Sequence, residues 1–190
     1  MRKRILERYA RTDDGKVVID IAAQRIADLY HDFDKHAPYL KKELDEELAD
    51  YIIDSVREIG REEFLIQVSL ASPVDEPAVS RVQKSLHNYF LYLKELEVRE
   101  TRRLVRNSLT LLAVGTAILI VSVVVNSRPA LLRDTVLSTV IAQGLTIAAW
   151  VALWEALAMV LMNWAPHRRL IRMYERIAKA DVRFRKVPRG

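Results

Sequence analysis

Asn107–Ser127 reads NSLTLLAVGTAILIVSVVVNS, 21 residues without a formal charge. At ~1.5 Å per helical residue it spans roughly 31 Å, about one hydrocarbon core. Its Val-rich end has strand character, but a lone strand in lipid leaves its backbone unsatisfied, so a helix is expected. Gly115 and Ser122 are small residues of the kind that let another helix approach. After Ser127-Arg128-Pro129 and Arg133-Asp134, a second uncharged stretch of 20 residues runs from Thr135 to Trp154. Glu155 interrupts it, and an apolar run continues to Ala165 before Pro166-His167-Arg168-Arg169. The connection between the stretches is too short for a domain, so the two helices are expected to be antiparallel neighbours.

Working outward, the halves of the chain differ in charge. Met1–Glu100 carries 16 Lys and Arg against 21 Asp and Glu; Thr101–Gly190 carries 14 against 4. The basic surplus therefore flanks the apolar spans, which points to membrane orientation and anionic head groups. A nucleic-acid-binding protein would concentrate basic charge on a soluble fold, and here that half is acidic. Arg99, Arg102, Arg103 and Arg106 precede the first span, and Arg168, Arg169, Arg172 and Arg176 follow the second. The loop holds only Arg128 and Arg133. The positive-inside rule then puts both termini in the cytoplasm. The N-terminal MRKRILERY has no apolar core after its basic residues and does not read as a signal peptide.

The N-terminal half predicts a soluble α+β domain of order β-α-α-β-α, followed by the transmembrane hairpin, with a mostly helical chain overall. Lys16–Ile21 (KVVIDI) reads as a strand after the Asp13-Asp14-Gly15 turn, and Ala22–Asp32 as a short helix. Lys41–Gly60 is amphipathic, with Leu44, Leu48, Tyr51, Ile52, Val56 and Ile59 on one stripe and Gly60 as its stop. In Glu63–Leu70, Phe64, Ile66, Val68 and Leu70 alternate with Leu65, Gln67 and Ser69. No breaker separates Ala78 from the first span, so one helix from about Ala78 to about Val125 joins the soluble domain rigidly to the membrane. The expected organisation is 1–77 as the cytoplasmic domain, 78–106 as the long helix, 107–164 as the hairpin and 165–190 as a basic tail. Two strands make a poor sheet and leave open edges. A homodimer joining two such pairs, or a third strand, would resolve that.

Chemistry is sparse. No cysteine means no disulfide, Cys-based zinc site or thiol nucleophile. His31, Asp32, Asp34 and His36 form the one cluster of interest to a metal, but it lacks the glycine turn and ligand ladder of a calcium loop. His87 and His167 have no ligand partner at zinc spacing. No phosphate-binding glycine loop or nucleophile elbow is present. No enzyme activity, metal or cofactor is expected. An acid inside an apolar run is a functional candidate, and Glu155 has two readings. With Asn126 facing Asp134 across the turn, Glu155 lies level with Val105, where it pairs with Arg106 or Arg102 and fixes hairpin register. Alternatively it faces a pathway shared between copies, with Gln143 and Thr146. Trp150 and Trp154 are expected as membrane-interface anchors, with Arg168 and Arg169 beyond them.

Leu29-Tyr-His-Asp-Phe-Asp-Lys-His-Ala-Pro38, Leu44-Asp45, Tyr51-Ile52, Ala149-Trp-Val-Ala-Leu-Trp154, Asn163-Trp164 and Arg168-Arg169 resemble a widespread group of small bacterial membrane proteins of uncharacterised function. The resemblance covers about Val18–Ile177. In that group the segment after the second Trp carries a Pro and a Glu further on; here it reads Glu155-Ala156-Leu157-Ala158. The resemblance implies a bacterial inner-membrane protein and supplies no activity. The expectation is a membrane-anchored, self-associating interaction module whose partners are the lipid bilayer, further copies of itself and another protein. The alternative is a subunit of an oligomeric channel or transporter.

Overall fold

A computed structural model describes residues 6–30, 44–71, 75–126 and 136–186. The chain is mostly helical (71%) with one small three-stranded parallel sheet. The elements are β1 (Val17–Ala23), α1 (Glu46–Ile59), β2 (Phe64–Leu70), α2 (Glu76–Asn126), α3 (Val136–Ala178) and β3 (Asp181–Lys186). A single 3-10 turn, Ile26–Leu29, follows β1.

β2 is the central strand, parallel to both neighbours, with Ile19 opposite Ile66 and Ile66 opposite Val182. The β1–β2 connection carries α1, and the β2–β3 connection carries α2 and α3 together. Two compact units result: Met1–Glu95 with Leu170–Gly190, and Leu96–Arg169. The sheet-bearing unit is thus discontinuous in sequence.

Paired residues of a parallel sheet share a face. Val17, Ile19, Ile21, Phe64, Ile66, Val68, Leu70 and Val182 point into the core, where they meet Ile52, Val56 and Ile59 of α1, Val82, Leu86 and Phe90 of α2, and Ile177 of α3. The opposite face carries Asp20, Gln67 and Arg183, and Gln67 Nε2 donates to Asp20 Oδ1 at 2.8 Å. The alternation expected in β2 is present, although Leu65 on the other face is also buried.

The helix expected from Lys41 begins at Glu46. The Asp45 carboxylate caps it, accepting from Glu47 N (3.1 Å) and Leu48 N (3.3 Å). Gly60, at φ 72°, closes it in a conformation that favours glycine. Two expectations are corrected. Ala22–Asp32 is not a helix in its described part: β1 continues to Ala23 because its ladder with β2 runs to Ala23–Leu70, and only one 3-10 turn follows. The segment expected as a basic tail is α3 ending at Ala178 followed by β3. β3 supplies the third strand, so the sheet's size gives no argument for dimerisation.

Arg176 ties the returning helix to this unit. Its guanidinium donates to the Gly60 carbonyl and to Glu62 O (2.7 Å), and lies 5.3 Å from the centre of the Phe64 ring. A cation there also complements the C-terminal end of α1. Gln83 Nε2 donates to Val182 O at 2.7 Å, His87 Nδ1 lies 2.6 Å from Ala178 O, and Lys94 pairs with Glu175 at 3.3 Å. Arg176→Met keeps the apolar stem and removes the charged hydrogen bonds. It should cost about 2–3 kcal/mol, read as a shift of the denaturant midpoint of the detergent-solubilised protein.

Candidate functional site

Within Leu96–Arg169 the buried positions are small. Ser108, Gly115 and Ser122 are seven residues apart on α2, and Ala149 and Ala156 are seven apart on α3; all five are buried. A seven-residue repeat keeps one stripe on the seam between two slightly supercoiled helices. Ser108 Oγ donates to Ala156 O at 2.7 Å, and the hydroxyls of Ser122 and Thr146 lie 2.6 Å apart. A Cβ on Gly115 would sit 3.1 Å from the Ala152 methyl, so hydrogen alone fits there comfortably.

Leu153 packs beside Gly115, but many large apolar side chains of this unit point away from the seam. Leu109, Val121, Ile147 and Leu161 are exposed, and Trp154 and Met162 reach 71% and 75% exposure. The hydroxyls of Thr110 and Thr116 bond back to the carbonyls of Arg106 (3.0 Å) and Leu112 (2.8 Å) of their own helix. This leaves their outer surface without an unsatisfied donor.

The contact of Ser108 with Ala156 sets the local register and puts Glu155 level with Leu109, about one turn from the Val105 level expected from sequence. Glu155, Arg102 and Arg106 are all exposed and form no ion pair with one another among the described residues. The interhelical pair at this end is Glu97 with His167 Nδ1, both largely buried. Of the residues proposed for a pathway, Thr146 is turned to Ser122, while Gln143 and Glu155 are exposed. Trp150, Trp154, Arg168 and Arg169 are exposed.

The sheet-bearing unit carries a cavity of about 310 Å³ lined in part by Tyr9, Ala10, Asp20, Tyr51, Ser55 and Glu58. Tyr9 OH donates to Glu58 Oε2 at 2.8 Å, and Tyr51 OH to Asp20 O at 3.2 Å. Burial raises the Tyr9 phenol above its ordinary value; Glu58 pushes the same way, and a hydrogen bond with Ser55 opposes it. The cavity is rich in acceptors and holds no paired nucleophile and base. Among the described residues no group of three His, Asp or Glu is poised for a metal ion. The His31, Asp32, Asp34 and His36 cluster lies outside those residues.

Gly115 and Ser122, the small residues expected to admit another helix, lie in this seam; Ser108, Ala149, Ala156 and the Glu97–His167 pair carry no such expectation from sequence. The seven-residue spacing of Ser108, Gly115 and Ser122 is the signal that marks the seam. No protein-family model matches the chain, and no curated protein or solved structure is significantly similar to it.

Two outcomes test this geometry. Gly115→Val should destabilise the helix pair by about 1–3 kcal/mol through overpacking, whereas Gly144→Val, which meets open space, should leave it unchanged. Both are measured by unfolding in mixed detergent micelles. Because the Tyr9 phenol is raised in the folded chain, its contribution is complete below pH 10 and is lost as pH rises through the folded value. Tyr9→Phe should therefore flatten the fall in stability above pH 10, followed by pH-dependent denaturant unfolding.

Proposed function

We propose that this chain is an integral membrane protein of the bacterial inner membrane. Its α2–α3 hairpin crosses the bilayer twice, and its sheet-bearing unit and both termini are cytoplasmic. We infer that it works as a non-enzymatic, self-associating anchoring and interaction module.

The inverted burial of Leu96–Arg169 carries this reading. Two helices are long and apolar enough to cross a membrane. A core helix of a soluble protein hides its large apolar side chains; here serine, glycine and alanine are hidden, and leucine, valine and tryptophan face outward. In water that surface is a large exposed apolar patch. In lipid it has no such cost, and close packing of small residues with interhelical hydrogen bonds is what holds helices together.

Orientation rests on the arginines, four before the first span and four after the second against two in the loop. The resemblance to small bacterial membrane proteins supports the inner membrane. Because β3 follows the hairpin, the cytoplasmic unit is held by two helices rather than one tether, which suits a module that positions something at the membrane surface. The hydrogen bond between Thr146 and Ser122 removes one of the three candidate pathway residues and favours the anchoring module over a channel subunit.

The protein should stay with the membrane pellet through alkaline carbonate extraction. With no native cysteine, a cysteine introduced in the connection between the helices should label from outside the cell with an impermeant maleimide. Tyr51→Cys should label only after lysis. Release by carbonate would refute membrane integration, and the reverse labelling pattern would refute the orientation.

A further inference from the structure

We propose that Glu155 of one chain pairs with Arg106 of a second copy, and that this contact holds the self-associated form together. The inference rests on the membrane reading and on self-association, and names the surface that makes the latter.

Both side chains are exposed on the helix pair, and neither has a partner within its own chain among the described residues. The Ser108–Ala156 contact places Glu155 level with Leu109, three residues from Arg106, or roughly 4.5 Å along the axis. A carboxylate at the inner edge of an apolar layer is costly unless paired. Arg106 lies on the face of α2 opposite Ser108, Gly115 and Ser122, which turns it away from Glu155 of its own chain.

Copies in one membrane share orientation and depth, so Glu155 of each lies within about 4.5 Å, along the axis, of the Arg106 level of its neighbour, a gap the long arginine side chain spans. The flanking surfaces fit such an approach. Ala148, Val151 and Glu155 recur on one exposed stripe of α3 at helical spacing. Arg106, Ala113 and Ala117 recur on one exposed stripe of α2, on the side away from the seam. Two of the three residues on the α2 stripe are alanine, which permits close approach of another helix in lipid. The two stripes differ, so each copy offers one patch to a neighbour's other patch.

The test uses the full-length chain with two tags. Glu155→Arg and Arg106→Glu are expressed separately and together, and the solubilised assemblies are weighed by native mass spectrometry. Wild type should run as a multimer, and each variant alone should lose the assembly, because like charges then face each other. The co-expressed pair should recover an assembly containing both tags, since the arginine introduced in one chain then meets the glutamate introduced in the other. A pair within one chain would not be rescued by mixing. Co-expressed variants that stay monomeric beside a multimeric wild type overturn the Glu155–Arg106 contact and leave self-association standing. A monomeric wild type overturns self-association itself, and this contact with it. Independently of charge, Ala148→Cys and Ala117→Cys chains should cross-link to each other in native membranes under mild oxidation. Absence of that cross-link with a multimeric wild type also overturns the proposal.

Discussion

Parallel strands cannot be joined by a tight turn, and this constraint organises the chain. β2 is parallel to both neighbours, so each neighbour must be reached by a crossover that returns to the same end of the sheet. α1 serves for β1 to β2. For β2 to β3 the crossover is the entire α2–α3 pair, whose outer part forms a second unit. The first turns of α2, through Phe90, and the last turn of α3, at Ile177, belong to the core of the sheet. Arg176, Gln83 and His87 then bind backbone carbonyls around the point of return.

The two units solve opposite packing problems. The sheet-bearing unit buries aromatic and branched side chains on one face, as the hydrophobic effect in water requires. The helix pair buries Ser108, Gly115, Ser122, Ala149 and Ala156. Between such residues the backbones approach closely, so dispersion contacts and two hydroxyl hydrogen bonds act where apolar transfer supplies no drive.

Polar groups sort along the same lines. Asp20, Gln67 and Arg183 occupy the face of the sheet opposite the main core. In the helix pair, Thr110 and Thr116 return their hydroxyls to their own backbone. Glu97 and His167 satisfy one another across the pair, and Glu155 and Arg106 are among the charges directed outward.

The sequence by itself determined the features that local chemistry and periodicity control. These are the two uncharged stretches, the amphipathic stripe of α1 with its stop at Gly60, and the alternation of β2. Each depends on residues a few positions apart. Tertiary structure alone decided the rest. Asp181–Lys186, DVRFRK, has the charge of a solvated tail, and it is a strand because β2 offers an unpaired edge that Val182 and Phe184 can join. Val17–Ala23 extends past its expected end, Ile21, because β2 offers it partners as far as Leu70. Glu155 was legible as an unusual acid, but its level depends on which residues interlock across the seam. Ser108 meeting Ala156 sets the register at that level, whereas counting back from the turn misses it by about one helical turn. Register between distant segments is a property of side-chain fit, which spacing along one chain does not encode.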